Sequence, residues 1–122
     1  MTMLPPLTTE TVWAILNEDL PDETVNRLVW HYLGYRYDEA MNQWDTTRVE
    51  AAWREKYPQP PSFIESRAAT VQLTRLIPQQ NKQLLKELGF KGYRVDQLVP
   101  RLHRRATMAN WLLSHLKEQN LP

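Results

Sequence analysis

The chain contains no cysteine. That removes disulfides, thiolate nucleophiles, iron–sulfur clusters and every thiolate zinc site. It suits a reducing compartment, and the cytoplasm is the expected location. Only three glycines occur, Gly34, Gly89 and Gly92. They form no G-x-G-x-x-G fingerprint, no P-loop and no G-x-S-x-G elbow. No apolar run approaches the roughly 18 residues of a membrane span. The opening Met1-Thr-Met-Leu-Pro-Pro lacks a basic region, and prolines cut its apolar stretch, so it does not read as a secretory signal. Histidine is scarce too: His31, His103 and His115 have no thiolate companions and no His-Glu-x-x-His arrangement. On one helix His103 and His115 lie about 120° apart around the axis, too far to share an ion. His31 sits beside an apolar stripe and could ligate a pigment or haem. The simpler reading is a partly buried histidine with its nitrogens hydrogen-bonded. Neither a metal nor a cofactor is expected.

What is present fits one domain. At 122 residues, 42% apolar and 24% charged, the chain is of ordinary globular size and composition. The expected fold is all-α: a compact bundle of five or six helices spanning 1–122, with residues 1–7 flexible. Thr8 or Thr9 caps a short helix holding Val12, Trp13, Ile15 and Leu16, which stops ahead of Pro21. Pro21, Asp22 and Glu23 open a second helix. Its Val25, Leu28, Val29, Tyr32 and Leu33 form a continuous apolar stripe, and Gly34 supplies the left-handed stop. Residues 35–45 read equally as a short hairpin or a packed loop, with no Asn-Gly or Asp-Gly to fix a turn. Thr47 and Glu50 have capping-box spacing before a third helix with Val49, Ala52, Trp53 and Tyr57 inward. The Pro58–Ser62 segment is a stiff polyproline connector. A fourth helix starts near Ser66 and places Ala69, Leu73, Leu76 and Ile77 inward. The fifth runs from Pro78 to Gly89 with Leu84, Leu85 and Leu88 inward. After an irregular 90–99 stretch, Pro100 opens the last helix, which runs to about Lys117. Leu102, Ala106, Ala109, Leu113 and Leu116 share one sector of it. No internal repeat is visible.

The blocks Pro-Pro-Ser-Phe-Ile-Glu-Ser-Arg, Leu-Thr-Arg-Leu-Ile-Pro, Asn-Lys-Gln-Leu-Leu-Lys-Glu-Leu-Gly-Phe-Lys-Gly-Tyr and Arg-Arg-Ala-Thr-Met-Ala-Asn-Trp-Leu-Leu carry a resemblance. So do Leu33-Gly-Tyr-Arg-Tyr-Asp and Val49-Glu-Ala-Ala-Trp. Together they resemble a small uncharacterised family of cyanobacteria and plastids, catalogued only as a domain of unknown function. The resemblance covers most of the chain and transfers no catalytic residue. It implies a photosynthetic source and an accessory role there.

Catalysis finds little support. The pairs Glu18-Asp19 and Asp22-Glu23 flank a helix start, where the helix dipole accounts for them, and Asp38-Glu39 stands apart. The chain does not read as an enzyme. Charge is the stronger signal, because the net +1 hides a split. Residues 1–60 carry five basic and ten acidic side chains, whereas residues 61–122 carry ten basic and four acidic. Arg101, Arg104 and Arg105 crowd the first turns of the last helix, preceded by Lys91 and Arg94. Cations there oppose the macrodipole, at about 0.3–1 kcal/mol each when exposed. Two outcomes follow. The arginines either pair with the acidic first half or present an anion site to an outside partner. The leading expectation is an interaction or assembly protein that offers this basic edge, with Trp30 as an aromatic anchor, to an acidic protein surface. Trp30 falls about 60° beyond the apolar stripe, which suggests exposure. Nucleic-acid or phosphate-ligand binding by the same cluster is the alternative, weakened by the small net charge and the lack of a known binding motif.

Overall fold

Proline and glycine set most element boundaries in the computed structural model, which describes residues 4–97 and 99–120. Among these residues the order is α1 (Thr9–Leu16), α2 (Asp22–Leu33), β1 (Arg36–Asp38), β2 (Gln43–Asp45), α3 (Ala51–Lys56), α4 (Arg67–Arg75), α5 (Leu84–Leu88) and α6 (Pro100–Asn120). Short 3₁₀ turns occupy Gln79–Asn81 and Val95–Gln97. The fold is therefore all-α, with one small antiparallel hairpin.

α6 is the axis of the molecule and packs against α1, α2, α4 and α5. Met108 through Ser114 are all buried, nearly two full turns, so this stretch is enclosed on every side. An apolar stripe on one face does not describe it, and Leu112 and Trp111 join the core beside the expected Ala109 and Leu113. From the other elements come Val12 and Ile15 of α1, Val25, Leu28 and Val29 of α2, and Ala69 and Leu73 of α4. Each fully buried large aliphatic side chain contributes about 1.5–3 kcal/mol.

The caps explain where helices begin and end. Thr8 accepts from the Thr11 amide and starts α1, and Ser66 accepts from the Ala69 amide and starts α4. Gly34 ends α2 in the left-handed region at φ 115°, and Tyr35 donates its amide to the Trp30 carbonyl at 3.0 Å. Tyr35 then buries its ring. Its hydroxyl donates to the Tyr57 carbonyl (2.6 Å) and accepts from the Trp53 indole (3.0 Å). Burial pushes the phenol's pKa up to about 12.

Several sequence expectations change. Residues 35–45 form the hairpin, with Tyr37 opposite Trp44 and Asn42 at φ 51° supplying the left-handed residue that Asn-Gly would have signalled. No capping box forms at 47–50. The Asp45 carboxylate accepts the Thr47 amide at 2.9 Å, so α3 begins at Ala51 with Glu50 as its cap residue. Ala52 and Leu76 are exposed, because α3 starts late and Leu76 falls past the last turn of α4. The expected fifth helix is broken: a 3₁₀ turn follows Pro78, and only Leu84–Leu88 is α-helical. Residues 4–7, expected to be flexible, are held instead. Leu4 and Leu7 pack on the core, and the Thr11 hydroxyl donates to the Pro6 carbonyl at 2.6 Å. Residues 1–3 of that expected flexible stretch lie outside the described residues.

The proline connector is anchored from α2. Buried Asn26 accepts the Phe63 amide at 3.0 Å and donates to the Ser62 hydroxyl at 3.3 Å. Phe63 can then enter the core with its backbone satisfied.

Candidate functional site

Seven of the ten basic residues of the second half fall into two groups with different surroundings. Arg105 turns inward, and its side chain is 0% exposed. Its guanidinium donates to the carbonyls of Ile15 (2.9 Å) and Leu20 (2.7 Å) and to Asp22 Oδ1 (2.7 Å). Arg101 spans Asp22 at 2.8 Å and Glu18 at 2.5 Å. Arg104 donates to the Ile64 carbonyl at 2.7 Å, and Arg94 pairs with Asp96 at 3.4 Å. Glu18 reaches its arginine from a left-handed backbone, φ 63°, just past α1.

This arrangement corrects the sequence reading at Arg101 and Arg105. Their forks are occupied by carboxylates and carbonyls from the acidic first half, so they bind the α1–α2 corner to α6. Arg105 reaches no outer surface. Trp30 also moves inward. Its indole donates to the Pro61 carbonyl at 2.6 Å, and its ring meets Trp44 edge-on at 5.7 Å. The proline connector covers the position that helical geometry alone leaves open.

The ion pairs set an acid dependence. Hydrogen bonding from Arg101, reinforced by Arg105 and partly offset by burial, holds the Asp22 carboxyl below its ordinary 3.8. Its contribution to stability is complete above 3.8 and disappears as pH falls through the lowered folded value. Burial also lowers the pKa of His31, helped by Arg36 and Arg48, and that of His115. Their neutral forms are favoured by the fold, so stability also declines as pH drops below the ordinary 6.5. Asp22→Asn is expected to lower stability at neutral pH and to flatten the steepest part of the acid limb, below pH about 4. Urea titrations at a series of pH values measure both.

The second group lies around a groove. A cavity of about 850 Å³ opens where α5 and the turn after it face α6. Ile77, Leu85, Phe90 and Ala106 supply apolar lining, Lys82, Lys86 and Lys91 supply the charge, and His103 lies beside them. Among the described residues no carboxylate lines it. Lys82 donates to the Thr74 carbonyl at 3.1 Å. Lys86 and Lys91 are exposed and enter no ion pair among the described residues. Asn110 also lines the groove. It is 8% exposed, and its Oδ1 has no hydrogen-bond partner among the described residues. Such an atom carries a desolvation penalty of about 1–3 kcal/mol until something donates to it.

Of the six side chains marked by sequence, only Lys91 lines this groove. Sequence reasoning gave no binding role to Lys82, Lys86, Phe90 and Asn110, and weighed His103 only as a metal ligand. The spacing of Lys82 and Lys86 offered one signal. The rest depends on α5 and the 89–92 turn folding back beside α6, which periodicity does not report.

A family model described as a domain of unknown function, DUF1823, matches residues 6–117. A solved structure, described as a solution NMR structure, is 51% identical over 99% of this chain and 100% of that one, with a TM-score of 0.83. The comparison with curated proteins returns no match.

Proposed function

Starting from a chain that belongs to the DUF1823 family, we propose that it is a non-catalytic interaction protein. Its binding surface is the groove between α5 and α6, and the occupant is an acidic amphipathic helix of a protein partner. An accessory role in the cytoplasm of a photosynthetic cell belongs to the same proposal. The observation that carries it is the groove's lining among the described residues: three lysines, a histidine and no carboxylate around an apolar floor. An amphipathic helix would place its apolar stripe on Ile77, Leu85 and Phe90 and its carboxylates toward Lys86 and Lys91. The nucleic-acid alternative loses force, because Arg101 and Arg105 are engaged inside the molecule.

The test uses a fluorescein-labelled synthetic peptide with leucine and glutamate in helical amphipathic spacing, followed by fluorescence anisotropy. Binding is expected to weaken with added salt. The double variant Lys86→Glu/Lys91→Glu is expected to reduce affinity about tenfold or more. Both positions are exposed, so folding should be unaffected. Equal affinity in the variant would overturn the proposal, as would tighter binding of an RNA or DNA oligonucleotide than of the peptide.

A further inference from the structure

A second cavity, of about 320 Å³, lies where α2, α3 and the C-terminal half of α6 meet. Its chemistry is opposite to that of the groove. Tyr32, Trp53, Trp111 and His115 give it aromatic walls, Glu50 and Glu118 supply carboxylates, and among the described residues no lysine or arginine lines it. His115 sits between two rings. It stacks on Trp111 at 5.5 Å with 22° between planes, and its centroid is 5.0 Å from that of Tyr32. Burial lowers its pKa, so the imidazole is neutral near pH 7 and adds no cation to the site. Its Nε2 is buried and has no hydrogen-bond partner among the described residues.

The wall is rigidly backed. Asn81, 0% exposed, donates through Nδ2 to the Ser114 hydroxyl (3.0 Å) and to Glu118 Oε1 (2.7 Å), fixing that carboxylate at the cavity's edge. Trp53 is held through its indole by the Tyr35 hydroxyl. A pocket lined by aromatic rings and two carboxylates, with no cation among the described residues, attracts positive charge on a small apolar body. Ring quadrupoles and carboxylates act in the same direction, and methyl groups bury well against indole.

We propose that this cavity binds a small organic cation, an alkylated ammonium group, between the aromatic walls and Glu50 and Glu118. The site is independent of the lysine groove and stands or falls separately from it. A volume of about 300 Å³ and above is the usual range for small-ligand pockets, and a trimethylammonium head with a short tail fits within it.

The probe is choline, compared with its uncharged isostere 3,3-dimethyl-1-butanol, titrated into the full chain and followed by NMR. Choline is expected to cause saturable shifts at the indole signals of Trp53 and Trp111 and at the His115 ring. The isostere should bind about five- to tenfold more weakly, the difference a cation–π and carboxylate site makes. Glu50→Gln, at an exposed position, should weaken choline in the same direction without disturbing the fold. No saturable shift with choline would overturn the proposal. Equal binding of the isostere would overturn it as well, because the pocket would then recognise shape and not charge. The wild-type comparison decides the matter even if a variant misfolds.

Discussion

Replacing Arg105 with alanine is expected to cost about 3 kcal/mol of unfolding free energy, because its fully buried guanidinium serves several polar groups and a buried group left without its partner costs about 1–3 kcal/mol. Three groups each lose a donor at once: the carbonyls of Ile15 and Leu20 and the Asp22 carboxylate, of which Ile15 keeps the Glu18 amide at 3.3 Å. The two carbonyls sit at the end of α1 and in the turn before α2, and among the described residues no other side chain donates to either. Asp22 keeps Arg101, which limits the damage on that side. Arg105→Lys should recover only part of the loss. An ammonium is a single point of charge and cannot span two carbonyls and a carboxylate as a planar fork does. Denaturant titration of the three proteins measures the series. A double-mutant cycle with Asp22→Asn then separates the ion pair from the carbonyl contacts. A loss below about 1 kcal/mol for the alanine variant would mean that the α1–α2 corner is held by apolar packing alone.

Gly34→Ala is expected to destabilise by about 3 kcal/mol or more, from two sources that act together. The left-handed backbone at φ 115° contributes about 1–2 kcal/mol for any residue with a Cβ. The new atom would also lie 2.4 Å from the Arg48 carbonyl oxygen and 2.6 Å from its carbon, inside van der Waals contact with backbone that cannot rotate away. Overpacking of that kind costs about 1–3 kcal/mol. Gly89 provides the comparison within the same protein. Its φ is 110°, but a Cβ there would meet only the Trp13 side chain, at 3.9 Å. Gly89→Ala should therefore show the conformational cost alone, about 1–2 kcal/mol. Similar losses at the two positions would show that the backbone around Arg48 yields easily. Thermal and urea unfolding of both variants give the answer.

Features fixed by nearby residues were legible in the sequence. Thr8 and Ser66 cap the helices they precede, Gly34 and Gly89 end the helices they follow, and Pro100 opens α6. Each depends on neighbours within about five residues, where propensity and stereochemistry act directly. The capping box failed for an equally local reason: Asp45 competes for the Thr47 amide and wins. Long-range partners were not legible. The charge split signalled that arginines and acids would meet, yet nothing local separates Arg105, which is buried, from Arg104, which is half-buried one residue earlier. The difference arises from the facing of α6, whose 108–114 stretch is enclosed on all sides and therefore shows no clear polar face. Trp30 illustrates the same limit. Its angle on α2 was right, but the cover came from Pro61, 31 residues away. The lysine groove depends on Phe90, Ala106 and Asn110 converging from segments with no shared period.

Two sets of cations take different roles: Arg101 and Arg105 hold the fold together, and Lys86 and Lys91 are left for a partner. Amide chemical-shift mapping of the full chain with the acidic amphipathic peptide tests that division most directly. The expected result is a set of shifts concentrated at residues 82–92 and 103–110, with the Arg101 and Arg105 side-chain signals unchanged. Shifts centred instead on the α1–α2 corner, or displacement of the Arg101 and Arg105 signals as peptide is added, would contradict it.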